Sequence, residues 1–312
     1  MRTSFALLTG LLFVPLEVAF AADPPPNEPR PVPLTRPEMK QLLEDMKARK
    51  PRIPLPELTE DEKKKLGERG AGYESRLRYH YIPGGNEGGR GSGFSFGPTG
   101  DEATLDNTFK VQLFWLVSRA NNCQYCQGHQ ESKLLRAGQK EDEIAALDGD
   151  WSEFTPAQKV AFAFARKYTY EPHKLGDADI DGLRKHYKDI QILEMILSMA
   201  GNNAINRWKE GTGAPQSPNG GGFGPKEVDP NAKHTYLTPT SDKYKSIVTK
   251  VAPVEVNEKG EPTRLTVCRR PALEPRDVVE KALAAAAKRT PRLPLASEEK
   301  TRAGTSDGPP TT

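Results

Sequence analysis

Between residues 101 and 215 the apolar side chains recur at the three- and four-residue spacing that is typical of amphipathic helices. One such stripe consists of Leu105, Phe109, Leu113 and Leu116. The sequence Thr-Pro-Ala-Gln, which begins at Thr155, is typical of a capping box with proline at the first helical position. No segment of the sequence alternates convincingly between apolar and polar residues, as a half-buried strand would. We therefore predict an all-α bundle of about five helices in this range.

Proline- and glycine-rich segments flank this helical range and predict arms with few core residues. Residues 22–100 form the predicted N-terminal arm, with a short helix over residues 37–49 and another that begins at Thr59. Residues 216–312 form the predicted C-terminal arm, which is irregular apart from one helix and ends in a disordered tail. The hydrophobic fraction of the chain, 36%, is low and agrees with a large share of such segments.

The first residues have the features of a secretory signal peptide. Arg2 provides a basic start, residues 5–14 are largely apolar, and Ala19-Phe20-Ala21 provides small residues at a cleavage site. The apolar run is too short to span a bilayer comfortably, which disfavours the alternative of a retained membrane anchor. We predict that residues 1–21 are removed and that the mature chain is exported, periplasmic or secreted, without a membrane span.

Charge and cysteine content limit the functions open to the chain. The 45 basic and 42 acidic side chains give a net charge of +3, which predicts no general attraction to nucleic acid or to anionic lipid. Three cysteines are too few to hold together a disulfide-scaffolded secreted fold. The two that lie close together are therefore expected to do chemistry.

Those two cysteines form a CxxC motif, Cys123-Gln124-Tyr125-Cys126, followed by His129. Side chains three residues apart on a helix share a face, so a helix that begins here places both sulfurs and the imidazole together. If Asn121 or Asn122 caps that helix, its unpaired N–H groups favour thiolate over thiol and lower the thiol pKa. We predict Cys126, Cys123 and His129 as the catalytic residues, with His129 as proton partner of Cys126.

A CxxC motif also serves functions other than redox chemistry. Haem attachment needs histidine directly after the second cysteine, where Gln127 stands. Zinc needs a ligand beyond the pair and His129, and the candidates are His173, His186 and His234, none in a paired motif. We predict no metal and no cofactor, whereas a purely structural disulfide remains open. Cys268 is interpreted as a lone exposed thiol.

From residue 105 to residue 215 the chain resembles the carboxymuconolactone decarboxylase / alkylhydroperoxidase-D-like (AhpD-like) superfamily, in its CxxC-containing branch. The resemblance rests on the sequence LVSRANNCQYCQGH, which begins at Leu116, and on the order of the later helices up to Gly213-Ala214-Pro215. It implies an all-α homo-oligomer that acts as a thiol peroxidase or a disulfide reductase. It also implies that peroxide attacks Cys126, that Cys123 resolves the product, and that an unknown dithiol supplies the electrons.

Two positions depart from the pattern of that superfamily. Its relay histidine lies four residues after the second cysteine, where this chain has Gln130, so that His129 is one position early. Its relay glutamate lies twelve residues before the first cysteine, where this chain has Val111. Valine cannot carry a proton, and the carboxylates that we considered as substitutes are Glu131 and Glu194.

The sequence therefore leads to three functional hypotheses. The first is an exported antioxidant enzyme that reduces hydroperoxides or disulfides through Cys126 and Cys123. The second is a non-catalytic oligomeric scaffold or binding protein in which the two cysteines form a structural disulfide. The third, a lactone decarboxylase, is disfavoured by the intact CxxC pair.

Overall fold

The computed structural model of the chain describes residues 33, 35–70, 72–81, 103–216, 235–247, 255–256, 262–264 and 275–293. All of them belong to the compact unit Val32–Thr312. The predicted signal peptide, the disordered tail and Cys268 lie outside the described residues.

The predicted all-α class is confirmed. The described α-helices are α1 (Arg36–Asp45), α2 (Glu60–Gly70), α3 (Tyr73–Tyr81), α4 (Asn107–Ala120), α5 (Gln124–Arg136), α6 (Glu141–Ala145), α7 (Pro156–Tyr170), α8 (Asp177–Arg184), α9 (Asp189–Thr212), α10 (Asp242–Lys245) and α11 (Arg276–Ala286). Short 3₁₀ turns follow three of them, at Met46–Ala48, Ala146–Asp148 and Pro172–Lys174. The strand fragments β1 (Glu255–Val256) and β2 (Pro262–Arg264) pair antiparallel. In the described ranges, no helix combines the length and apolar character needed to cross a bilayer.

Helix α4 lies at the centre of the bundle, packed by α5, α7 and α9. Its first turn is capped by Asp106, whose carboxylate accepts the N–H of Phe109 at 2.9 Å. Trp115 and Leu116 are fully buried in the main core. A helix packed by three others needs apolar side chains around most of its circumference, and the sequence of α4 supplies them.

The predicted cap of α7 is present. The Thr155 hydroxyl accepts the N–H of Gln158 at 3.2 Å, and the side-chain Oε1 of Gln158 accepts the N–H of Thr155 at 3.1 Å. Proline occupies the first helical position. Such a reciprocal cap is worth about 1 kcal/mol, and it orients Ala161, Phe162 and Ala165 into the core.

Helix α1, from the segment predicted as an arm, is part of the core. The helix predicted over residues 37–49 is observed as α1 and the 3₁₀ turn that follows it. Met39 and Leu43 are fully buried in the main hydrophobic cluster. Arg36, 1% exposed, forms ion pairs with Glu131 of α5 and Glu141 of α6. Both apolar burial and buried charge therefore attach α1 to the bundle.

Helix α9 ends where the N-terminal segment docks. Gly213 follows it with φ of +69°, the left-handed conformation that glycine adopts without a Cβ clash. The N–H of Arg52 donates to the Thr212 carbonyl at 2.9 Å, and its guanidinium donates to the Glu210 carbonyl. These bonds satisfy carbonyls at the end of α9 that have no partner within the helix.

Candidate thiol site

Cys123 and Cys126 lie at the start of α5, as the helix prediction required, but the predicted cap was wrong. Cys123 itself is the N-cap, and its sulfur accepts the N–H of Cys126 at 3.4 Å. Asn121 instead ends α4, and its side-chain amide donates to Asn203 and Asn206 of α9 at 2.9 Å. Asn122 makes the turn between the helices with φ of +51°, a conformation that asparagine tolerates better than most residues.

Both sulfurs are enclosed. Cys123 is fully buried and Cys126 is 2% exposed, and both are free thiols. They belong to a small hydrophobic cluster with Met46, Tyr125 and Ala214, against which Tyr73, Phe114 and Ile205 pack. Burial raises the pKa of Cys123 well above its ordinary value, so the lowering predicted from the helix start was wrong for this thiol. The free-energy cost of burying a thiolate exceeds the electrostatic stabilisation that the N-terminus of the helix gives it.

His129 lies one turn after Tyr125 and packs against its ring, with centroids 4.5 Å apart and an interplanar angle of 31°. Its Nδ1 lies 3.3 Å from the Tyr125 carbonyl, which can only accept, so this contact places the proton on Nδ1 and leaves Nε2 as the acceptor. Burial lowers the pKa of His129 to about 4, against the opposing effect of Glu74. His129 is therefore neutral at pH 7, and the burial that keeps it neutral also makes it a weak base.

The carboxylate of the site comes from α3, which the sequence did not point to. Glu74 accepts the Tyr125 phenol at 2.6 Å and forms ion pairs with Lys209 of α9 and Arg78 of its own helix. Burial acts to raise the pKa of the Glu74 carboxyl, but the positive charges around it, of which Lys209 has the largest effect, together outweigh burial, so the pKa lies well below its ordinary value. Glu74 is thus ionised at neutral pH.

Lys209 is the second residue that sequence reasoning missed. Its side chain is buried, and its Nζ lies 4.2 Å from the ring centroids of both Tyr125 and Trp208. Burial lowers the pKa of Lys209, while the negative charges of Glu74 and an ionised Cys126 raise it. The ammonium therefore interacts electrostatically with both a carboxylate and the thiol at Cys126.

The carboxylates considered as substitutes for the relay glutamate are engaged elsewhere. Glu131 binds Arg36 and accepts the indole N–H of Trp115 at 2.9 Å. Glu194 forms an ion pair with Lys110 at 2.9 Å and also accepts hydrogen bonds from Thr104. These two carboxylates support the packing of α1 and α9 on the bundle. The acidic side chain that is bonded to Tyr125 of the CxxC turn is Glu74.

Gly128 allows the chain after α9 to cover the CxxC turn. The Gln216 side chain donates to the Tyr125 carbonyl at 3.1 Å, and the Gln216 N–H donates to the Met46 carbonyl at 2.9 Å. A Cβ on residue 128 would overlap the Gln216 amide and lie 2.8 Å from the Tyr236 hydroxyl. The absence of a side chain at this position is what admits Gln216.

The described residues offer no group of three or more His, Cys, Asp and Glu side chains arranged to hold a metal ion. His173 and His186, considered as further zinc ligands, are both exposed. His234 lies outside the described residues.

No protein-family model matches the chain, and no curated protein matches it. Among solved structures it is similar to the alkylhydroperoxidase AhpD core of an uncharacterised peroxidase-related protein from Ralstonia eutropha, at 21% identity and a TM-score of 0.44, over 55% of this chain and 94% of that chain. An uncharacterised peroxidase-related protein from Silicibacter sp. is 18% identical with a TM-score of 0.46, over 55% and 93% of the two chains. A protein of unknown function from Agrobacterium tumefaciens, provisionally named antioxidant defence protein AhpD, is 18% identical with a TM-score of 0.34, over 36% and 80%.

These similar structures are AhpD-like and peroxidase-related proteins. At such identities and TM-scores, what this chain does has to be inferred from its own residues.

Proposed function

We propose that the chain is an exported thiol-dependent oxidoreductase that reduces hydroperoxides or disulfides through Cys126 and Cys123. The observation that supports this most is the setting of the two thiols. They lie one helical turn apart at the start of α5, on either side of Tyr125 in the sequence. The Tyr125 phenol binds Glu74 of the Glu74–Lys209 ion pair, and the Tyr125 ring contacts the neutral imidazole of His129. A thiol that must lose a proton and then attack an O–O bond needs such charged and proton-accepting neighbours.

The reaction divides into two steps at these sulfurs. The Cys126 thiolate attacks one oxygen of the hydroperoxide, the O–O bond breaks, and the other oxygen leaves as an alcohol after it takes up a proton. The Cys126 sulfenic acid then condenses with the Cys123 thiol, which forms the disulfide and releases water. A dithiol donor reduces that disulfide by exchange and is itself oxidised.

The geometry suits the division of roles between the two sulfurs. Cys123 is fully buried with a raised pKa, so it stays protonated and inert until a sulfenic acid forms beside it. An ionised Cys126 interacts electrostatically with the ammonium of Lys209. His129 on the same helix is the proton acceptor that we propose, and it is a weak base because burial lowers its pKa to about 4.

Reaction of the reduced mature chain with hydroperoxide tests the proposal. Wild type is expected to lose its Cys123 and Cys126 thiols together, as followed by thiol titration and peptide mass analysis. Cys123→Ser should stop at a sulfenic acid on residue 126 that a dimedone probe traps, whereas Cys126→Ser should not react at either position. If wild type consumes no hydroperoxide with any dithiol donor, the peroxidase form of the proposal is wrong.

The enclosure of the thiols favours a second candidate, a non-catalytic oligomeric scaffold with a structural Cys123–Cys126 disulfide. A buried pair with a raised thiol pKa is what a structural bridge needs. The reduction potential separates the two functions. A potential below about −300 mV is typical of a structural disulfide, and a higher one indicates a working couple.

Export and self-association are part of the proposal. The sequence features of residues 1–21 support export. In an oxidising compartment, a dithiol enzyme needs a dedicated reductant. N-terminal sequencing of the protein recovered from the producing cell is expected to start near Ala22. Light scattering on that mature form is expected to give a mass that is a multiple of the monomer.

A further inference from the structure

Helix α9 carries apolar side chains on two opposite faces. Ile192 and Met195 are fully buried on the face that packs against α4, α5 and α8. The opposite face carries Ile190, Leu193 and Leu197, which are 54%, 38% and 37% exposed. A surface helix normally presents polar and charged residues on its outer face, whereas a helix that is apolar all round is typically buried. The outer face of α9 is therefore expected to be covered in the assembled protein.

The residues of this outer face follow a heptad spacing. After Ile190, Leu193 and Leu197, the alternation of three and four residues continues with Ala200 and Ala204, which are half-buried. We call these five residues the α9 stripe. Apolar residues at this spacing are what one α-helix presents to a second helix that packs along it at a small angle. The spacing therefore indicates that the surface that covers the stripe is itself a helix.

The α9 stripe is complementary to itself in the antiparallel orientation. Its large side chains lie in the N-terminal half and its two alanines in the C-terminal half. When two copies of α9 run antiparallel, Leu193 lies opposite Ala204 of the second copy, and Leu197 lies opposite Ala200 of the second copy. Large side chains that face small ones interdigitate, and a two-fold axis makes each contact occur twice. A parallel pair would instead place leucine against leucine and alanine against alanine.

Opposite charges lie at the two ends of the α9 stripe. Asp189 precedes it and Arg207 follows it, and between them the only charged residue of α9 is Glu194, which is buried. In the antiparallel pair, Asp189 lies at the level of Arg207 of the second copy, at both ends of the contact. Arg207 is exposed, and within the described ranges its hydrogen bonds go to Asn203 and not to an acidic side chain. Asp189 has an exposed ion pair with Arg184, which leaves it accessible to a second cation.

We propose that the α9 stripe is the interface of a two-fold dimer of this chain, in which two copies of α9 pack antiparallel. The inference rests on the proposed function only for self-association, to which it assigns a surface, and it is independent of the thiol chemistry. The stripe is about 21 Å long and a helix is about 10 Å wide, so the helix pair buries less than the about 800 Å² per partner that is usual for a stable interface. The dimer should therefore dissociate on dilution.

Sedimentation velocity of the chain from Ala22 onwards, over a series of concentrations, tests the apolar part of the interface. Wild type is expected to show a monomer–dimer equilibrium. Leu197→Glu should raise the dissociation constant about 100-fold, because it buries a carboxylate against apolar side chains on both copies. The matched control is Leu135→Glu on α5, since Leu135 is also 37% exposed but lies outside the stripe. Leu283→Glu, at an exposed apolar residue of α11, should leave the equilibrium unchanged as well.

Charge reversal tests the orientation of the two helices. Asp189→Lys and Arg207→Glu each place like charges at both ends of an antiparallel pair, so each variant alone should dimerise about tenfold more weakly at low salt. An equimolar mixture of the two variants should recover the wild-type affinity, because the mixed dimer has opposite charges at both ends. In a parallel pair residue 189 would meet residue 189, and neither single variant would change the sign of any contact.

The inference is overturned if Leu197→Glu has no more effect than Leu135→Glu, or if the mixture of charge variants associates no better than each variant alone. Loss of the dimer in Leu283→Glu but not in Leu197→Glu would assign the interface to α11. A wild type that stays monomeric at every concentration would also overturn it and would show that another part of the chain covers the stripe. Should Leu197→Glu not fold, as judged by circular dichroism, the exposed charge variants still decide. No hydroperoxide enters these experiments, so failure of the proposed thiol chemistry is measured separately.

Discussion

Replacement of Arg36 by methionine tests whether the segment before the bundle is part of its fold. Arg36 donates to Glu131 at 2.9 Å and to Glu141 at 2.9 Å. Without it, Glu141 keeps its ion pair with Lys40 at 2.9 Å, whereas the buried Glu131 keeps the hydrogen bond from the indole N–H of Trp115 but loses its guanidinium partner. Removing one partner of a buried ion pair costs about 3–5 kcal/mol. Arg36→Met should therefore lower the free energy of unfolding by about that amount, a large part of an ordinary domain's stability.

Urea unfolding of the chain from Ala22 onwards, followed by tryptophan fluorescence, measures this loss. The matched control is Arg276→Met, which breaks an exposed ion pair with Glu280 on α11 and should cost less than about 1 kcal/mol. The double variant Arg36→Met/Glu131→Gln removes the stranded charge and should recover most of the stability. A loss in Arg36→Met no larger than that of the control, or no recovery in the double variant, would refute the reasoning.

Two further predictions concern α5. A glycine-to-alanine change stabilises most helices, but Gly128→Ala should lower the free energy of unfolding by about 1–3 kcal/mol, because the new methyl group overlaps Gln216. Adding Gln216→Ala should relieve this loss. An unchanged stability of Gly128→Ala in urea would contradict the packing. His129 should titrate with a midpoint of about 4 in an NMR experiment on its ring protons, below its ordinary pKa near 6.5. The folded state then binds fewer protons than the unfolded state, so stability falls as pH drops from 6.5 towards 4, and His129→Gln should flatten that dependence.

Local features of the fold were predictable because they depend on residues close together in the chain. The cap at Thr155 needs Gln158 three residues later, and the stripe of α4 needs apolar residues at helical spacing. The two cysteines share the start of α5 for the same reason. The cap of α5 was missed because the choice among Asn121, Asn122 and Cys123 depends on where α4 ends, and α9 sets that end through its contacts with Asn121.

The charged part of the site was not predictable in this way. Glu74 lies in a short polar helix and Lys209 in a charged stretch before Glu210, and each resembles an ordinary solvated side chain in the sequence. They become functional candidates because the chain brings α3 over the end of α9. The hydrogen bond of Glu74 to Tyr125 joins residues 51 positions apart, and no local pattern records such a pairing.

The sequence by itself determined the helical class, the helix that carries the thiols and the i, i+3 spacing of Cys123 and Cys126, because periodicity and capping act within one or two turns. Only the tertiary structure decided the environment of those thiols. Burial raises the pKa of Cys123, and burial lowers the pKa of His129. The carboxylate of Glu74 and the ammonium of Lys209, which are distant in the sequence, meet near the thiols. Desolvation and Coulomb interaction depend on distance in space, so they follow the packing of α1, α3 and α9 and not the order of residues in the motif.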